Sequence, residues 1–119
     1  MEITINGQSL KFEMQSWWGP MYLYEEIMNV AEHPENTFNP AKTMHLHVMF
    51  YCILMDDNDG LTLTLDDFLK AVNDLKLHAA LLKHYTERTR VLLQLQSAES
   101  KPAGTSKKKS SRRMTPTKE

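Results

Sequence analysis

The stretch from Asn39 to Val72 constrains the fold more than any other. It opens Asn-Pro-Ala-Lys-Thr, continues from Met44 to Met55 with mostly apolar residues, turns through Asp-Asp-Asn-Asp-Gly and ends Leu-Thr-Leu-Thr-Leu-Asp-Asp-Phe-Leu-Lys-Ala-Val. Asn39 suits a helix N-cap, and Pro40 suits the first helical position, where its missing N–H would have had no partner. The pattern therefore predicts a helix from that point. Every residue from Val48 to Met55 is uncharged and largely apolar, so this helix is apolar on nearly every face and the remaining elements must surround it. The run is far shorter than the roughly 20 residues a bilayer requires, and His45 and His47 flank it, so a buried core helix is expected and membrane insertion is not.

Charge divides the chain. Residues 1 to 96 carry seven Lys or Arg against thirteen Asp or Glu, a formal charge of −6, whereas residues 97 to 119 carry seven against two, or +5. The C-terminal part is Ser, Thr, Lys, Arg, Pro and Gly with only Ala98, Ala103 and Met114 as apolar residues, too few to offset the entropy of ordering it. The expected organisation is one folded domain over 1–96 and a disordered basic tail over 97–119. The single cysteine, Cys52, lies inside the apolar run, where it serves as a small core hydrophobe and excludes an intramolecular disulfide. The first residues lack the basic start and apolar core of a signal peptide, and a reducing cytoplasm fits both observations.

Asn6-Gly7 is a strong hairpin signal because both central positions of a type I′ turn need positive φ. With these two as the turn, Ile5 faces Gln8, Ile3 faces Leu10 and Met1 faces Phe12 on one side of the ribbon, while Thr4 faces Ser9 and Glu2 faces Lys11 on the other. One register thus yields an apolar face, a polar face and an opposite-charge pair. Two strands alone are marginal in water, so the apolar face is expected to lie on the helices or to be extended by a further strand. An open edge remains in either case, tolerated or used by a partner's strand.

Gly19-Pro20 marks the start of a helix from about Pro20 to Ala31, stopped before Pro34, with Leu23, Ile27 and Val30 as its core stripe. Trp17 and Trp18 precede it and, in extended chain, point to opposite sides. One is expected to fill the core under the hairpin; the other is a lid on the first helix or an aromatic anchor for a partner. Trp17, Trp18 and Tyr22 are the candidate partner-binding residues. Thr64 with Asp67 three residues on resembles a capping box and opens a helix from about Leu65 to Asp74. A last helix is expected from about Leu77 to Gln94, with Leu77, Ala80, Leu81, Tyr85, Val91, Leu92 and Leu95 near heptad spacing. The fold class is α+β and mostly helical, an N-terminal β-hairpin packed on a bundle of about four helices.

Motifs that carry chemistry are sparse. With Gly60 at the sixth position of a calcium loop, the first ligand would be Met55 and the twelfth Asp66; Met cannot ligate calcium, and a solvated turn is expected. Neighbouring histidines lie two and six residues apart, not the four that place two on one helical face, so no metal is expected. Phosphate-binding glycine loops and nucleophile motifs are missing, and neither a cofactor nor an enzyme is expected. Lys107, Lys108, Lys109, Arg112 and Arg113 form a candidate polyanion-binding run that would neutralise phosphates without reading sequence. It has no aromatics to stack on bases, and solubilising the chain or pairing with acidic protein surface explains it equally well.

Taken together, the N-terminal hairpin with Asn-Gly, the two aromatic residues before a helix carrying Tyr-Glu-Glu, and the Leu-Thr-Leu-Asp-Asp-Phe segment after an acidic turn resemble the tail assembly chaperones of long-tailed bacteriophages. The likeness is architectural and covers roughly residues 1–94. It implies a non-enzymatic factor of the host cytoplasm, one that coats the hydrophobic tape-measure protein and helps the tail-tube protein assemble around it, and that could itself be a homo-oligomer. Many such chaperones are made in two lengths by ribosomal slippage, which the resemblance would place at Lys107–Lys109, codons permitting. The rival expectation is a small nucleic-acid-associated adaptor binding through its basic C-terminal tail.

Overall fold

The computed structural model describes residues 1–100, and their side chains as far as Leu95. Strands β1 (Glu2–Ile5) and β2 (Gln8–Lys11) are followed by helices α1 (Trp18–Ile27), α2 (Thr43–Asp57), α3 (Leu65–Ala71) and α4 (Leu75–Ser100), with a short 3₁₀ turn at Pro34–Asn36. Among the described residues, Met1–Thr89 forms one compact unit that holds the hairpin, α1 to α3 and the start of α4. Helix α4 continues four residues past the boundary that composition places at Ser97. The basic run of the tail lies outside the described residues.

The hairpin has the expected register. Glu2 faces Lys11, Ile3 faces Leu10, Thr4 faces Ser9 and Ile5 faces Gln8, and the Phe12 N–H donates to the Met1 carbonyl at 2.8 Å. Asn6 and Gly7 have φ of 52° and 78°, the left-handed region the turn requires. Ile3, Ile5, Leu10 and Phe12 are buried, and the Phe12 ring meets Phe50 of α2 edge-on at 5.8 Å. The ribbon's apolar face therefore lies on the helices; among the described residues the sheet has two strands.

Helix α2 is the axis of this unit. Val48, Met49, Phe50, Tyr51, Cys52, Ile53 and Leu54 are all buried. Four elements pack on it: Tyr24 of α1 meets His45, Phe68 of α3 meets Tyr51, and both Phe12 of the hairpin and Tyr85 of α4 meet Phe50. An all-round apolar helix needs that arrangement, since any uncovered side would leave large hydrophobic groups in water. Burial pushes the Cys52 thiol up to about 12, so it is inert as a nucleophile and acts as core. Among the described residues, no helix is long and apolar enough to cross a membrane.

Several details differ from the sequence expectation. Helix α2 begins at Thr43, not at Pro40, because Asn39 closes a turn on itself: its side-chain oxygen accepts the Ala41 N–H at 3.0 Å and its carbonyl accepts the Lys42 N–H at 2.9 Å. Helix α1 ends at Ile27, well before Pro34. Asn29 takes φ of 52° there, and the Asn29 and Val30 N–H groups return to the Glu26 and Glu25 carbonyls, a Schellman stop built on asparagine. The core stripe of α1 is also rotated: Pro20 and Tyr24 are buried while Ile27 is exposed. In α4, Leu81 and Tyr85 are buried, Leu77 is half-buried and Ala80 is exposed. The α3 cap is as expected, with the Thr64 hydroxyl accepting the Asp67 N–H at 3.1 Å.

Candidate partner-binding site

The site is built on the first turn of α1. Ser16 Oγ accepts the Gly19 N–H at 3.1 Å, and Trp17 already has helical dihedrals, so the tryptophan pair belongs to the helix and not to extended chain. Adjacent helical residues are about 100° apart, so the two rings do not oppose each other. Trp17 is half-buried, whereas Trp18 is 52% exposed. Four residues on, Tyr22 is 67% exposed and stacks on Trp18, with ring centroids 6.4 Å apart and planes 24° from parallel. The spacing of four is what puts the two rings on one helical face.

The opposite face of α1 fixes this display. Tyr24 is fully buried, its ring lies edge-on to Phe38 at 5.3 Å, and its hydroxyl donates to the Asn36 carbonyl at 2.8 Å. Asn36 Nδ2 in turn donates to the Met28 carbonyl at 2.8 Å. Gly19 sets the approach to α2: a Cβ there would stand 2.5 Å from Asp56 Oδ1. Burial, aided by the neighbouring Asp57 and Asp59 charges, raises the Asp56 pKa above the usual carboxylate value. Helix α1 therefore cannot roll to bury Trp18 and Tyr22 without exposing Tyr24 and breaking its bond.

The acidic turn after α2 is a clamp more than a solvated loop. Asp57 Oδ2 accepts the Glu13 N–H at 2.7 Å and the Met14 N–H at 3.0 Å. Asn58 reads Lys11 as a strand would, accepting its N–H at 3.0 Å and donating to its carbonyl at 2.8 Å. These bonds complete the outer edge of β2 and hold the chain as it leaves the hairpin, where Met14 adopts φ of 54°. Asp57, which would be the third ligand position of a calcium loop, is thus engaged with backbone. Among the described residues, no three His, Cys, Asp or Glu side chains are grouped to hold a metal ion.

Two histidines that sequence spacing kept apart are brought together. His47 Nε2 of α2 lies 2.9 Å from His78 Nδ1 of α4, beside a recess also lined by Thr43, Val72, Asn73 and Leu75. A spacing rule within one helix cannot detect a pair formed between two. The structure thus brings Trp18 and Tyr22 together and leaves Trp17 half-buried, so neither tryptophan fills the core under the hairpin as expected; Lys107, Lys108, Lys109, Arg112 and Arg113 lie outside the described residues. No protein family, curated protein or solved structure matches the chain.

Proposed function

We propose that this chain is a non-enzymatic binding factor that masks apolar segments of a partner protein, using the Trp18–Tyr22 face of α1. The observation that carries the reading is the stacked, solvent-facing aromatic pair on a helix whose opposite side is locked. Exposed Trp and Tyr in a pre-organised arrangement are the residues most enriched where binding energy concentrates, because they bury large area at little entropic cost. The architectural resemblance to phage tail assembly chaperones supplies the partner: the tape-measure protein, kept soluble in the host cytoplasm while the tail-tube protein assembles around it.

Co-expression tests this directly. The tape-measure protein should remain soluble with the wild-type chain and precipitate with the Trp18→Ala, Tyr22→Ala double variant, whose fold is checked first by thermal melting. Equal solubilisation by a folded double variant would refute the aromatic face as the site. The competing nucleic-acid role predicts salt-dependent DNA binding that disappears on truncation after Ser100, a cut that leaves all of α4 in place.

A further inference from the structure

We propose that His47 and His78 form an acid-released latch between α2 and α4, closed while the pair shares one hydrogen and opened when both rings become cationic. The geometry carries it. A distance of 2.9 Å between His47 Nε2 and His78 Nδ1 requires one nitrogen to bear the proton and the other to present a lone pair. The first added proton goes to the far nitrogen of the donor ring and preserves the bond. The second must go onto the acceptor nitrogen itself, which sets two N–H groups and two positive charges face to face. Such a pair titrates in two macroscopic steps, and the lower step is the one that opens it.

The surroundings offer the second charge no carboxylate. Phe50 flanks both rings, with centroids 6.1 Å from His47 and 6.3 Å from His78. The recess beside the pair is lined by Thr43, Val72, Asn73 and Leu75, with no carboxylate. The charged groups nearest along the chain are Lys42 before α2, Lys70 and Asp74 around the end of α3, and Lys76 in the first turn of α4; all have exposed side chains. Asp74 is engaged with the Lys76 N–H at 2.9 Å. Beyond Phe50 lie Tyr85, whose hydroxyl is held neutral by burial, and His84, which faces the hairpin through Phe12. His45, on the same helix, accepts the Asn39 N–H at 3.2 Å and faces α1.

Burial first, and then the positive charge on His78, hold the His47 pKa below its ordinary 6.5, which is consistent with His47 as the acceptor of the closed pair. The sign follows: a depressed folded value means that the contribution to stability is complete above 6.5 and is lost as pH falls from 6.5 through the folded value. Opening the latch frees the α3–α4 corner from α2 and uncovers Phe50, apolar surface that is otherwise internal.

The test is an NMR titration of the imidazole nitrogens in the full chain from pH 8 to pH 4.5, paired with thermal melts at pH 7.5 and pH 5. His47 and His78 should titrate together in two steps, the second below the ordinary histidine range, with faster exchange of the Val72–Leu77 amides once it is passed. The wild-type melting temperature should fall between the two pH values by several degrees more than that of His47→Gln or His78→Gln. Two independent, ordinary titrations would overturn the latch, and so would identical pH dependence in wild type and a folded variant. The wild-type titration decides the matter even if neither variant folds.

Discussion

Helices α1 and α2 pack against each other and spend their residues in opposite ways. Helix α2 buries an unbroken run from Val48 to Leu54, whereas α1 buries Pro20 and Tyr24 and turns Trp18 and Tyr22 outward. Hydrophobicity does not separate them, since Tyr22 and Tyr24 are the same residue two positions apart, one 67% exposed and the other fully buried. The neighbours do. Helix α2 meets the hairpin, α1, α3 and α4 around its circumference; α1 lies on the outside with α2 and the Asn36–Phe38 loop on one side. An apolar residue in the Val48–Leu54 run of α2 has no alternative to the core, whereas Met44 in its first turn is exposed, and an apolar residue in α1 becomes core or display according to which way a few polar bonds turn the helix.

The comparison breaks first at Phe50. Phe50→Ala removes the ring against which Phe12, His47, His78 and Tyr85 all pack and should cost about 3–5 kcal/mol in urea unfolding. A loss under about 1.5 kcal/mol would show that α2 is not the centre on which the other elements depend.

A second expected loss falls on the clamp. Asp57→Ala leaves the Glu13 and Met14 N–H groups without their acceptor in a partly buried site, and should cost about 2–3 kcal/mol. Amide exchange reports the cause: the Glu13 and Met14 amides should accelerate more than those of the Ile3–Leu10 pair. Uniform acceleration throughout the hairpin would mean that the ribbon, not its exit, had been loosened. Smaller again, Thr64→Ala should cost about 1 kcal/mol by uncapping α3, with Thr64→Ser recovering most of it in the same melt.

How far sequence reaches is visible in these residues. The hairpin was legible down to each facing pair because a two-residue turn and a period-two pattern fix a register by local rules alone. The α3 cap was legible for the same reason. What escaped were contacts between segments distant along the chain: Asp57 and Asn58 look like a solvent-facing turn until the exit of β2, more than forty residues earlier, is laid beside them. His47 and His78 similarly have no shared spacing to detect. The rotation of α1 was missed because Asn29 reads as a surface residue, although its left-handed backbone ends the helix and Tyr24, not Ile27, becomes the inward residue. Of the site, sequence names Trp17, Trp18 and Tyr22 together without saying which tryptophan is exposed; that Trp18 faces solvent and stacks on Tyr22 follows only once Trp18 lies inside the helix.

The smallest stability effect is expected where the functional effect is largest. Trp18→Ala removes a ring already half in water and a surface stack with Tyr22, so unfolding should shift by no more than about 0.5 kcal/mol. Tyr24→Ala, six residues further along the same helix, should cost about 3–5 kcal/mol, because it empties a fully buried site and abandons the Asn36 carbonyl. Measured side by side, the two variants separate display from core. Trp18→Ala should melt like wild type yet lose partner solubilisation, and Tyr24→Ala should lose both together. If Trp18→Ala instead lowered stability as much as Tyr24→Ala, the outward aromatic would be holding the fold, and its exposure would be no evidence of a partner.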